Sequence, residues 1–425
     1  MRRAGRGVVR STVGHTHTTQ SCHLSYHNHH FTYNLLTRMM VVPRVVISAA
    51  LLLAALLVTD AQYSYNLRPI IGVLSQAPSD SLLSGLVDKN YTGFIAASYV
   101  KYLESAGARV VPVLTHQDDA YYENLVHSLN GFLFPGGGVS ITNTSGYGAA
   151  GQKIYDLVKE LNSKGIYVPL WGTCLGFEML TYLGANYVSL LTACNASNKA
   201  DPLNLQDGYL DSRIFSQLPE DSVNSLRTLN VTVNFHHYCI TSEVFKSSGL
   251  SDEFKLLATS WDSDGLEYVA LMEHQDLPIY GSQFHPEKNQ FEWSTSKTHT
   301  AIPHYLKSLE VSQSLANFFV EQARQNNQSF TTEKEEEVAL IYNYHPFYTV
   351  WSTYTQVYFF RARNVTSRGK ENDTGISANS IWRNFDSSGK SNSNIFKTTR
   401  KTAKKRKARF PVYKQRKNLS RGRNN

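Results

Sequence analysis

The stretch from Ile166 to Leu183 constrains this chain more than any other. An apolar run, Ile166 to Trp171, reads as a buried strand. It breaks at Gly172-Thr173-Cys174-Leu175-Gly176, and Phe177, Met179, Leu180 and Leu183 then recur at helical spacing. A Gly-x-Cys-x-Gly turn between a strand and a helix is the cysteine form of a nucleophile elbow. The tight turn lifts the side chain above the sheet edge, and the flanking glycines tolerate strained backbone and close substrate approach. The helix that follows aims its N–H groups and dipole at the sulfur, which favours thiolate over thiol. The bland alternative is a small buried Cys at a strand end, so the partners of Cys174 decide between the two.

Such an elbow needs a sheet, and the flanking chain supplies one. Ile70–Leu74, Val110–Leu114 and Gly131–Phe134 are apolar runs that read as strands. Helical spacing over Ile95–Ala106, Leu125–Leu129 and Tyr155–Leu161 separates them. Strands alternating with helices in this way predict an α/β fold with a doubly wound, mostly parallel sheet and its site at the carboxyl ends of the strands. Further on, Asn230–Phe235, Phe254–Ala258 and Leu266–Met272 are β-patterned, and antiparallel strands extending the sheet are expected there. Pro303–Ala323 reads as a long amphipathic helix, Glu333–Glu337 opens a charged one, and Tyr342–Phe360 is aromatic and β-prone.

Two segments fall where such a site should be. Pro135-Gly136-Gly137-Gly138 follows a strand, and a glycine run there can present backbone N–H groups to an anion; beside a nucleophile that anion is a tetrahedral oxyanion. No Gly-Lys-Ser/Thr follows, so it is not a P-loop. In Gln283-Phe-His-Pro-Glu-Lys288, His285 and Glu287 stand two apart across Pro286. On an extended segment they share a side, which lets the carboxylate orient an imidazole that takes the thiol proton. His236 and His237 follow another strand; one of them can line the pocket, whereas a metal site lacks a third ligand.

Charge excludes one function class. The chain carries +8 overall, but Ser387–Asn425 holds fourteen Lys/Arg and no acid, and Met1–Arg44 six Arg and no acid, which leaves −12 on residues 45–386. Nucleic-acid binding is therefore not expected of the central domain, only conceivable for the tail. Residues 1–38 are a His-, Thr- and Arg-rich leader upstream of a better start at Met39; a metal-binding His tract is the alternative there. Residues 39–61 have the basic flank and short apolar core of a signal peptide, an uncleaved anchor being the alternative, and no stable membrane span is expected. Residues 62–363 form the catalytic domain and residues 364–425 a disordered basic tail. Sequons at Asn90, Asn143, Asn195, Asn230, Asn327, Asn364, Asn372 and Asn418 suit a luminal glycoprotein. Beyond the leader, Cys174, Cys194 and Cys239 leave room for one free thiol; Cys194 and Cys239 could pair.

Taken together, Phe134-Pro-Gly-Gly, Trp171-Gly-Thr-Cys-Leu-Gly-Phe-Glu178, Asn234-Phe-His236 and Gln283-Phe-His-Pro-Glu-Lys288 resemble the γ-glutamyl hydrolases of the class I glutamine-amidotransferase-like group, which have a flavodoxin-like sheet. The resemblance covers roughly Arg68 to Phe360, with Phe284 where a Trp is often found. It implies a cysteine hydrolase of γ-glutamyl bonds, usually in folyl-poly-γ-glutamates, working after secretion or in a lysosome, commonly as a homodimer and without metal or organic cofactor. It carries over Cys174 as nucleophile, His285 as general base and then acid, and Glu287 as third member. Backbone N–H groups of Gly137 and Leu175 become the oxyanion hole, and Gly138, Glu178 and His236 substrate-binding positions. The competing readings are a glutaminase-type amidotransferase domain and a non-catalytic binding protein of the same fold.

Overall fold

The computed structural model describes residues 65–294 and 296–361. The leader, the signal-peptide segment and the basic tail lie outside the described residues, as do the sequons at Asn364, Asn372 and Asn418.

The described strands are β1 (Ile70–Leu74), β2 (Gly93–Ala96), β3 (Arg109–Val113), β4 (Gly131–Phe134), β5 (Leu170–Thr173), β6 (Thr192–Asp201), β7 (Asn204–Leu205), β8 (Thr232–Cys239), β9 (Phe254–Trp261), β10 (Glu267–His274), β11 (Ile279–Ser282), β12 (Pro346–Tyr348) and β13 (Gln356–Phe360). The longer helices are α1 (Ala97–Ser105), α2 (Asp119–Ser128), α3 (Gly146–Ser163), α4 (Leu175–Gly184), α5 (Glu220–Thr228) and α6 (Leu306–Ala323). Eight strands form the main sheet in the order β3-β1-β4-β5-β11-β10-β9-β7. The first five run parallel, and β10, β9 and β7 continue antiparallel.

The apolar runs of the parallel strands follow from burial on both faces. In β1, Ile71 and Val73 face a core shared with Tyr99 and Leu103 of α1, Leu226 of α5 and Leu315 and Phe319 of α6. Ile70 and Leu74 face the opposite core, with Val126 of α2, Ile154 and Val158 of α3 and Phe177 of α4. Helices on both faces make the sheet doubly wound. From β1 the chain crosses to β3 on one side and then to β4 on the other, so the strand order reverses between β1 and β4, a place where α/β sheets hold ligands.

The structure revises the sequence-based expectations in three places. Ile95 and Ala96 do not open a helix. They end β2, which pairs antiparallel with β13 in a separate three-stranded sheet, and α1 starts at Ala97. A strand from more than 250 residues away outcompetes local helical spacing. The strand before the elbow is β5, shorter and later than Ile166–Trp171; Ile166 is exposed and Val168 is buried outside the strand. The segment beginning at Asn230 does not extend the main sheet. Its strand, β8, pairs with β6 in a two-stranded ribbon, crosslinked by a Cys194–Cys239 disulfide.

Gly176 sits in the first turn of α4, where a Cβ would lie 2.0 Å from the backbone oxygen of Phe134 in β4. Neither partner is a flexible side chain, so Gly176→Ala must push α4 off the sheet. The expected cost is about 2 kcal/mol of unfolding free energy, read from chemical denaturation of the two proteins.

Candidate active site

Four loops at the carboxyl ends of β1, β4, β5 and β11 converge here, carrying Gln76, Pro135–Gly138, Cys174 and Gln283–Glu287. Cys174 caps the N-terminus of α4 with φ 52° and ψ −106°, a conformation that L-residues rarely adopt. Two backbone bonds hold it there: its N–H donates to the Ser282 carbonyl at 2.8 Å, and its carbonyl accepts from the Glu178 N–H at 2.9 Å. It is the free cysteine among the described residues, and it is buried.

Gly136 marks the centre. A Cβ built on it would lie 2.7 Å from Cε1 of His285, 2.8 Å from the Tyr99 hydroxyl and 3.1 Å from Cβ of Cys174. Only a glycine admits that approach. The His285 Nδ1 lies 2.8 Å from Oε1 of Glu287. A carboxylate at that nitrogen puts the ring proton there and leaves Nε2 as the basic nitrogen. The Tyr99 hydroxyl stands 3.3 Å from the same Nδ1 and accepts the Gly136 N–H at 2.8 Å. Gln76 donates from Nε2 to the Gly136 carbonyl at 2.8 Å, and a Cβ on Gly137 would overlap the Gln76 side chain. The glycine run is thereby pinned across the switch point between β1 and β4.

His285 and Glu287 are brought together, although by a different geometry from the extended one expected. Residues 286–287 form a turn, and Glu287 has helical φ and ψ of −70° and −21° at the start of a short helix, Lys288–Phe291. The turn folds the carboxylate back to the ring.

Electrostatics also correct the sequence reading of Cys174. Burial pushes the thiol well up, and the negative charges of Glu178 and Glu287 add to this; Lys288 and the Leu175 N–H oppose it without prevailing. The resting group is a thiol. His285 is held down, chiefly by burial and against the pull of Glu287, so the imidazole is neutral. Glu287 stays below the usual carboxylate range despite its burial, through the nearby His285. A thiol beside a neutral imidazole is the arrangement in which the base removes the proton during the reaction.

A cleft of about 450 Å³ opens beside the sulfur. Gly137, Gly138, Leu175, Glu178 and His236 all border it with Cys174, and His285 lies buried behind Gly136. Burial raises Glu178 to about 7, opposed by the hydrogen bond from Gln283 Nε2 at 3.1 Å. Burial lowers His236 to about 3, and its ring nitrogens face the Tyr238 carbonyl at 3.0 Å and Oδ1 of Asn234 at 3.3 Å. Among the described residues no group of three His, Cys, Asp or Glu is placed to hold a metal ion. Sequence reasoning gave no role to Tyr99, Gln76 or Gln283. Tyr99 was visible only as one apolar position in a helical pattern, and Gln76 as part of a strand-ending loop.

Residues 69–287 match the Peptidase C26 family model. The chain belongs to the Peptidase C26 family. It is 42% identical over 296 residues to γ-glutamyl hydrolase of Homo sapiens, covering 69% of this chain and 90% of that relative. Identity to γ-glutamyl hydrolase B of Dictyostelium discoideum is 38% over 313 residues, or 73% and 87% of the two chains. For γ-glutamyl hydrolase 1 of Arabidopsis thaliana it is 33% over 301 residues, or 69% and 83%. The family match ends at Glu287, the last of the three residues gathered around the Nδ1 bond, and begins at Pro69, just before β1.

A raised thiol pKa has a direct consequence. Less thiolate is present at neutral pH than in an ordinary cysteine, whose value is about 8.5. Alkylation of Cys174 by iodoacetamide, followed by mass spectrometry, should keep accelerating about tenfold per pH unit through pH 9. A rate already level between pH 6 and 8 would show a resting thiolate instead.

Proposed function

We propose that this member of the Peptidase C26 family is a cysteine hydrolase of γ-glutamyl amide bonds in poly-γ-glutamylated, folate-like molecules. The observation that carries the reading is the meeting of Cys174 with the His285–Glu287 pair around Gly136, in a chain 42% identical to a γ-glutamyl hydrolase. γ-Glutamyl hydrolysis is what the relatives named above are named for; the folate-like carrier is the finer part of the proposal.

In the proposed reaction, Nε2 of His285 takes the Cys174 proton as sulfur attacks the γ-amide carbonyl. Glu287 steadies the imidazolium that forms. The tetrahedral oxyanion lies against the N–H groups of Gly137 and Leu175, donors set in place before the reaction by the pinned glycine run and the start of α4. Collapse breaks the C–N bond. His285 gives its proton to the departing glutamate nitrogen, and the acyl group stays on sulfur as a thioester. A water then gives a proton to His285 and its oxygen to the thioester carbonyl, and the thiol returns as the γ-carboxylic acid leaves. Gly138, Glu178 and His236 border the cleft, where they are assigned to the substrate.

A secreted or lysosomal setting belongs to the same proposal. The signal-peptide pattern supports it, as do the Cys194–Cys239 disulfide and the exposure of Asn90, Asn143, Asn195, Asn230 and Asn327 at their sequons. No described helix is long and apolar enough to cross a membrane. So does a homodimer, for which the exposed Phe347, Tyr348, Val350 and Trp351 supply apolar surface. The domain limits, 62–363 for the catalytic unit, are likewise proposed.

The test is hydrolysis of a folyl-poly-γ-glutamate, followed by chromatography, beside free glutamine as substrate. The chain should cleave the former far faster. Cys174→Ala should lose roughly 10⁴-fold or more, and His285→Asn a comparable factor, because the two act as a unit. Glu287→Gln should lose less, roughly 10- to 100-fold. Equal turnover by Cys174→Ala would sink the proposal, and a preference for glutamine would favour the amidotransferase reading.

A further inference from the structure

Every γ-linked glutamate carries a free α-carboxylate, so a substrate of the proposed class is a polyanion. The cleft beside Cys174 is an odd receptor for one. Its described lining contains no Lys or Arg, and Glu178 adds a potential negative charge. Among the lining residues two could supply a cation, His236 and His237; Lys288, outside the lining, has its Nζ 5.4 Å from the ring of Phe235. His236 is buried, its two ring nitrogens face two acceptor oxygens of which a neutral ring can donate to only one, and its burial keeps it neutral. His237 is different. It lies within β8, borders the same cleft, is exposed to water, and its side chain makes no hydrogen bond or ion pair among the described residues. The ribbon that carries it is fixed, since Cys239, two residues on, is bonded to Cys194 in β6.

We propose that His237 is a specificity-determining residue: its imidazolium binds an α-carboxylate of the poly-γ-glutamyl chain in the cleft. The inference rests on the γ-glutamyl hydrolase reading above. Histidine is the side chain whose charge changes in the mildly acidic range, so this recognition strengthens as pH falls. The charged and titratable groups around His237 are few. Cys174 and Glu178 border the same cleft from the start of α4 and His236 precedes it on β8, while Asp262 and His285 lie near enough to act on His236. Against Phe235 of the same strand stand Lys288, its Nζ 5.4 Å from the ring, and His299, stacked on it, and both are common to every protein compared below. Of these, Glu178 also titrates near neutrality and works in the same sense, because its anion repels the substrate above pH 7. The test must separate the two.

The full chain bearing Cys174→Ala binds without turning over. Its affinity for γ-linked pentaglutamate, free of any pteridine, is measured by calorimetry at pH 5.5 and 7.5, alone and with His237→Gln or His237→Lys. Glu178 is common to all three proteins, so its share cancels. The gain in affinity on acidification should be roughly two- to fivefold larger with His237 than with Gln, the size of an exposed charge contact. The Lys form should bind at pH 7.5 about as tightly as the His form does at 5.5, and raised salt should weaken it. The same gain with His and Gln, or no advantage of Lys over Gln, overturns the proposal. Hydrolysis of pentaglutamate by the chain with Cys174 intact is measured alongside. If it is cleaved while the His237 comparison is flat, only this inference fails; if it is not cleaved, the functional reading fails with it.

Discussion

Everything at this site depends on the backbone of one residue. Cys174 is held at φ 52°, on the wrong side of the Ramachandran map for an L-residue, at a cost of about 1–3 kcal/mol. That conformation turns the chain from β5 into α4 within a single residue and leaves the sulfur above the sheet edge. It persists because its surroundings over-determine it. The Ser282 carbonyl of β11 holds the N–H, the first turn of α4 holds the carbonyl, and Gly176 brings the helix against β4. A larger residue at Gly176 or a displaced β11 would release the strain and the geometry together.

Around this point the polar groups form one connected chain. It runs from Glu287 to His285, from His285 to Tyr99, from Tyr99 to the Gly136 N–H, and from the Gly136 carbonyl to Gln76. All of these side chains are buried, and a buried polar network rigidifies a site when its members are bonded. The network joins the ends of β1, β4 and β11 to α1, elements far apart in the chain. It aims the imidazole and pins the glycine run at once. Burial has a second effect, keeping the thiol protonated and the imidazole neutral, so charge separates only when a substrate is attacked.

Much of this was legible in the sequence. The parallel strands are buried on both faces, which writes them as unbroken apolar runs, and the elbow combines a strand end, two glycines and a helical repeat within about fifteen residues. The Cys174, His285 and Glu287 motifs are short, so their spacing carries over directly. Other parts left no local signature. Ile95 and Ala96 looked helical because the strand they pair with, β13, lies at the far end of the described chain. Tyr99 looked like core because its hydroxyl acts across the sheet. The thiolate expectation failed because helix dipole and glycine content can be read locally, while desolvation by the folded surroundings cannot.

The sequence by itself determined the fold class and singled out Cys174, His285 and Glu287 as the candidate nucleophile and its partners, because these follow from local periodicity and residue type at fixed spacing. Only the tertiary structure decided the protonation state of the thiol, the turn that closes His285 onto Glu287, the separate ribbon of β6 and β8, and the cleft whose described lining lacks Lys and Arg. Those depend on which distant groups share a small buried volume, and on how much water their packing excludes.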